Sequence, residues 1–168
     1  MQVVHATYDD ARAVAEIHVD TWRAAYASIV PADYLASLSV ERREAMWREC
    51  IATRVPELLV ATEAGVVRGW LSFCQCRDEG SSKAEAEIWA TYVAPSSWSG
   101  GAGRLLWLRA KELMLEQGFK SCSLWGLPAK RSSSQVLPFS RVCPRRLGTK
   151  ELRAWRSATS RGALCLAT

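Results

Sequence analysis

The chain predicts one α/β (α+β) domain, a mixed sheet with helices packed against it, and three observations carry that expectation. Residues 85–127 read as strand, glycine-rich turn, helix and strand, a βαβ unit that prefers a right-handed crossover. Residues 58–74 read as a β-hairpin. Residues 9–54 carry apolar side chains at three- and four-residue steps, the spacing of helices that cover one face of a sheet. With 168 residues, 49% of them hydrophobic, the chain has material for one good core and needs no second domain.

Each element has its own local reason. Val3 and Val4 suggest a short opening strand. Asp9 and Asp10 stand where they can cap a long helix whose apolar face carries Val14, Ile17, His18, Thr21, Trp22, Ala25 and Tyr26, and Pro31 ends that segment. A second helical region is expected over 32–54. It should break near Leu38, where Ser39 can cap anew and Glu41 favours the helix dipole, and Pro56 closes it. Residues 58–63 turn at Ala64-Gly65 into 66–74. Asp78 opens a polar loop, a strand is expected over 85–93, a helix over 101–117 closed by Gly118, and a strand over 121–127.

The turn between strand and helix is the chemically informative part. Residues 98–104 run Trp98-Ser99-Gly100-Gly101-Ala102-Gly103-Arg104. A glycine-rich turn entering a helix presents unpaired amides backed by the positive end of the helix dipole, and absent side chains let phosphate oxygens approach. Arg104 can add a charge-assisted donor. The spacing fits neither the dinucleotide fingerprint nor the P-loop.

This segment resembles motif A of the GNAT N-acetyltransferase superfamily, whose Gln/Arg-x-x-Gly-x-Gly/Ala holds the pyrophosphate of acetyl-CoA. Gly101 and Gly103 match the pattern, whereas Trp98 stands where Gln or Arg is usual and Gly100 where a basic residue is common. Residues 18–26 with 29–31 resemble the first helix of a group of small bacterial GNAT proteins. The element order of residues 1–127, about three quarters of the chain, is similar to the family's. The resemblance implies a GNAT fold with fourth and fifth strands that splay apart, acetyl-CoA as cofactor, and backbone amides near Tyr92 and Val93 that polarise the thioester.

Acetyl transfer needs a base for the ammonium and a proton for the departing thiolate, and direct attack needs no covalent intermediate. Glu87 is the candidate base, through a water, with Ile88 and Trp89 as desolvating neighbours; a structural ion pair is the competing role. His18, Trp22 and Tyr26, on one helix face, are candidates for the amine pocket, as is Trp89, with core packing the alternative. Glu85 shares a strand face with Glu87 and is a second base or an ammonium-binding carboxylate.

After Leu127 the chain departs from the family, which continues with a helix bearing a Phe-Tyr pair whose tyrosine serves as acid. No tyrosine follows Leu127 here. Codons for Gln135-Val136-Leu137-Pro138 such as CAA GTT CTA CCG, read one nucleotide later, encode Lys-Phe-Tyr-Arg, so a frameshift is one origin for this tail. A helix over 150–158 and a strand over 163–167 are expected in it. The tail can close the sheet or swap into a partner, and a bare sheet edge would favour a homodimer.

The tail also holds nine basic residues against one acidic; the remaining 13 basic and 16 acidic residues leave residues 1–127 at −3 within a total of +5. A solvated basic surface is expected rather than a nucleic-acid interface, because aromatics are not interleaved beyond Phe139 and Trp155. Six cysteines lack the spacing of a zinc site or a disulfide framework, so no metal and buried thiols are expected. No segment reads as a signal peptide or membrane span, which points to a soluble cytoplasmic chain. Three functions are weighed: an acetyl-CoA-dependent N-acetyltransferase for a primary amine, a CoA-binding protein with impaired catalysis, and nucleic-acid binding through the tail.

Overall fold

A computed structural model describes residues 1–28, 30–124, 145–147 and 163–164. Strand β1 (Gln2–His5) leads into helix α1 (Ala11–Ala25), short helix α2 (Ala32–Ser37) and helix α3 (Val40–Thr53). Strands β2 (Glu57–Glu63), β3 (Val66–Gln75) and β4 (Glu85–Val93) follow, then helix α4 (Ala102–Glu116) and strands β5 (Ser121–Leu124), β6 (Arg145–Leu147) and β7 (Ala163–Leu164).

The sheet runs β1-β2-β3-β4-β5-β6. Every pairing is antiparallel except β4 with β5, the pair that α4 connects. Helices α1 and α3 cover one face, where Val14, Trp22 and Trp47 pack on Leu58, Val60, Trp70 and Tyr92. Helix α4 covers the other, where Leu106, Ala110 and Met114 meet Leu59, Leu71, Phe73 and Ile88. The expected helices on both faces are therefore found. Each large side chain taken fully out of water contributes about 2 kcal/mol, whereas an exposed ion pair such as Arg12 with Glu16 is screened by solvent and adds little. The two apolar layers set the fold.

Several turns follow the local rules. The Ser39 hydroxyl accepts from the Arg42 amide at 3.2 Å, capping α3 after the break at Leu38. Ala64 and Gly65 both take positive φ in the β2–β3 turn. Gly118, at φ 85, ends α4 as expected. One cap differs. The Asp10 carboxylate accepts from the Thr7 amide at 2.7 Å and the Thr7 hydroxyl at 2.8 Å, so it closes the turn before α1 rather than the helix's own first turn.

A β-bulge in β4 matters most for function. Ser72 of β3 pairs with Ala90 and Phe73 with Ile88, which leaves Trp89 as the extra residue. Parallel pairing with β5 covers Glu85 to Ile88 and, among the described residues, ends at the bulge. Beyond it, Thr91 and Tyr92 pair with Leu164 and Ala163 of β7. The tail thus contributes two strands, and β6 covers the edge of β5 that the sequence left open to a partner. The helix expected over 150–158, residues 125–127 of the fifth strand, residues 165–167 of the last and the segment 135–138 lie outside the described residues.

Candidate active site

The glycine turn begins where β4 ends. Ala94 donates to the Arg68 carbonyl at 2.9 Å, and a short turn over Pro95–Ser97 reverses the chain. Gly100 donates to the Ser97 carbonyl at 3.1 Å, Ser99 takes a left-handed φ of 66, and Gly101 follows at φ 84 before α4. Among the described residues, nothing accepts from the amides of Gly101, Ala102, Gly103 or Arg104. These are the orphan donors of a helix start, aligned with the positive end of a 15-residue helix. A Cβ on Gly103 would lie 3.6 Å from the Val93 side chain, an ordinary contact. Packing within the chain therefore does not demand glycine at 103, whereas a ligand seated against the backbone would. Arg104 is exposed beside this turn and forms no ion pair among the described residues.

The bulge changes which side of the sheet β4 presents. Ala86 and Ile88 pack under α4, so Glu85 and Glu87 alternate to the opposite face; past Trp89, Ala90 and Tyr92 join that same face. Glu85, Glu87, Trp89 and Tyr92 thereby share one side of the sheet with His18, Trp22 and Tyr26 of α1. The residues that the sequence proposed for base and pocket thus lie on the same side of the sheet.

Glu87 is buried and clamped. Arg77 donates through Nε to Oε2 at 3.2 Å and through Nη2 to Oε1 at 3.1 Å, and the Arg77 amide adds a 3.4 Å contact. The half-exposed guanidinium also lies 4.6 Å from the Trp89 ring centre, a cation–π contact. Arg77 escaped the sequence reading because it immediately precedes the polar loop. The only available signal was a cation next to a strand end, which is common.

His18 sits at the centre of an aromatic stack, 4.9 Å from Tyr92, 5.7 Å from Trp70 and 6.0 Å from Trp22, ring centre to ring centre. It is 5% exposed, and neither ring nitrogen has a partner among the described residues. Burial, aided by the charge of Arg43, pushes its pKa down to about 3, so the ring is neutral and a poor proton acceptor. Trp22 donates from Nε1 to the Tyr92 hydroxyl at 2.9 Å. Tyr26 packs on Trp22 at 5.3 Å, and Tyr34 on α2 reaches Trp22 from a more exposed position at 6.1 Å. Trp22, His18 and Tyr26 are core residues of this face, and only Tyr34 of these four lies at its rim.

Burial makes two of the described thiols, Cys74 and Cys122, poor nucleophiles. Burial pushes Cys74, which pairs across the strands with Glu87, up to about 11, and Cys122 up to about 12. Both are protonated near neutral pH. No group of His, Cys, Asp and Glu that could hold a metal occurs among the described residues, and no helix among them is long and apolar enough to cross a membrane.

This combination of a parallel βαβ crossover, a strand bulged beside its parallel partner and a helix N-terminus with unspent amides is that of an acyl-carrier transferase. The family model described as "Acetyltransferase (GNAT) family" matches residues 12–133, and the chain belongs to that family. It is 34% identical over 123 residues to an uncharacterised N-acetyltransferase, YuaI, of Bacillus subtilis (strain 168), covering 73% of this chain and 69% of that one. Among solved structures, a ribosomal-protein-alanine N-acetyltransferase of Brucella melitensis is 26% identical with a TM-score of 0.59, covering 73% of this chain and 72% of the other. YncA of Salmonella typhimurium, solved with its cofactor acetyl-CoA, is 25% identical at TM-score 0.57, over 73% of this chain and 68% of the other. The PaiA N-acetyltransferase of Thermoplasma acidophilum, in complex with coenzyme A, shares the fold at TM-score 0.63 and 20% identity, over 74% and 79%.

Proposed function

We propose that this chain transfers the acetyl group of acetyl-CoA to a primary amine of a small molecule or peptide by direct attack. The observation that carries the reading is the set of amides at 101–104 that are unspent among the described residues. In this reading they grip the diphosphate, with Arg104 adding charge and Trp98, Ser99 and Gly100 shaping the turn. The pantetheine arm then runs along β4, and backbone groups at Tyr92 and Val93 face the thioester oxygen. Because β7 pairs with Thr91 and Tyr92, it must part from them for the arm to reach the bulge.

Glu87 takes the amine's proton through a water, the amine nitrogen bonds to the thioester carbon, the carbon–sulfur bond breaks, and the thiolate takes a proton from solvent. His18 and Trp22 support the acceptor pocket, Tyr26 and Trp89 line it, and Glu85 attracts the incoming ammonium. The proposed setting is the cytoplasm, without membrane or nucleic acid, and a homodimer remains part of the proposal.

The clamp of Arg77 on Glu87 favours a second reading, in which the chain binds acetyl-CoA without turnover. Calorimetric titration with acetyl-CoA, followed by free-thiol release across an amine panel, separates the two. Binding with thiol release supports transfer, binding alone supports the second reading, and no binding of any CoA species ends both.

A further inference from the structure

The cofactor turn holds a conformation that its own sequence does not favour. Ser99 carries a Cβ yet sits at φ 66, a region that costs an L-residue roughly 1 kcal/mol. Such a residue persists only where both sides are held. On one side Gly100 donates to Ser97, in a turn so tight that a Cβ at position 100 would lie 3.1 Å from the Ser97 carbonyl oxygen. On the other, the Trp98 indole donates from Nε1 to the Val93 carbonyl at 2.8 Å. The same oxygen accepts from the Thr21 hydroxyl of α1 at 3.2 Å.

We propose that Trp98 is a positioning residue for acetyl-CoA: its indole N–H ties the turn back to the end of β4 and presets the amides at 101–104 for the diphosphate. This rests on the acetyl-CoA reading above. The close approach of position 100 to the Ser97 carbonyl favours glycine there. A preset loop binds more tightly because less order is lost on binding.

The two donors on the Val93 oxygen make the proposal separable from simple packing. Replacing Trp98 with Phe keeps the ring and leaves the oxygen bonded to Thr21, so no buried acceptor is orphaned and the fold loses little. Replacing Thr21 with Val leaves the Trp98 tether in place but buries a residue that no longer reaches the sheet.

The test is calorimetric titration of the full chain with acetyl-CoA, beside its melting temperature without ligand. Trp98→Phe should weaken binding about fivefold to tenfold and lower the melting temperature by no more than about 2 °C. Trp98→Gln, which returns a donor, should recover most of the affinity. Thr21→Val should show the reverse split, a lower melting temperature with affinity within about twofold of wild type. Equal affinity of Trp98→Phe and wild type overturns the proposal, as does a Gln variant that binds no better than Phe, or proportional losses of stability and affinity in the Phe and Val chains. Failure of the unaltered chain to bind acetyl-CoA removes the cofactor reading and this proposal with it.

Discussion

Acid should destabilise this chain through His18. The imidazole is buried among Trp22, Trp47, Trp70 and Tyr92, with Arg43 the charged neighbour that further disfavours its proton. Its folded pKa is about 3 against an ordinary 6.5. Below 6.5 the unfolded chain therefore binds a proton that the folded chain refuses, and stability falls as pH falls, from about pH 6.5 until the folded pKa is reached. Each unit in that window costs on the order of 1 kcal/mol, so going from about pH 7.5 to about pH 4.5 removes on the order of 2 to 3 kcal/mol through this one residue. That is a large share of the 5–15 kcal/mol or so that holds a typical domain together.

Urea unfolding of the wild type and of His18→Phe at both pH values isolates the effect, because carboxylate titration is common to the two chains and cancels. The stability difference between them should move in favour of the variant by on the order of 2 to 3 kcal/mol on acidification. A difference that does not change with pH would refute the argument, since it would mean that His18 is protonated in the folded state or paired with an acid.

The site makes three further predictions. Gly103→Ala should raise the acetyl-CoA dissociation constant by about tenfold or more by crowding the amides, while the melting temperature stays close to wild type because the chain itself has room for a Cβ there; titration and a thermal melt check both. Glu87→Gln should lower turnover by about a hundredfold and leave acetyl-CoA affinity unchanged, read from thiol release and titration, and unchanged turnover removes Glu87 from the mechanism. Leu164→Pro, which cannot sustain the pairing with Thr91, should tighten acetyl-CoA binding in the full chain, and unchanged affinity would mean that β7 and the pantetheine arm do not compete.

Much of the fold was legible because its signals are local. The break at Leu38 with the Ser39 cap, the turn at Ala64-Gly65 and the stop at Gly118 each depend on a few consecutive residues. The glycine turn was legible for the same reason, since a strand, a glycine run and a helix start are contiguous. The bulge at Trp89 was not, because it depends on how β3 and β4 register, and period-two alternation carries no mark of one skipped pairing. Nor were the clamp of Arg77 on Glu87 and the bond from Thr21 to Val93, which join residues 10 and 72 positions apart.

By itself the sequence determined the elements through β5 and their order, though not β6, because helix periodicity, caps and glycine placement act over a few residues of chain. Tertiary structure alone decided that Glu87 lies on the side of the sheet that α1 covers and is held by Arg77, that His18 is neutral, and that β7 pairs with Thr91 and Tyr92 of β4. Those outcomes depend on burial and on charges brought close through space, and neither quantity exists until the sheet has paired and the helices have closed over it.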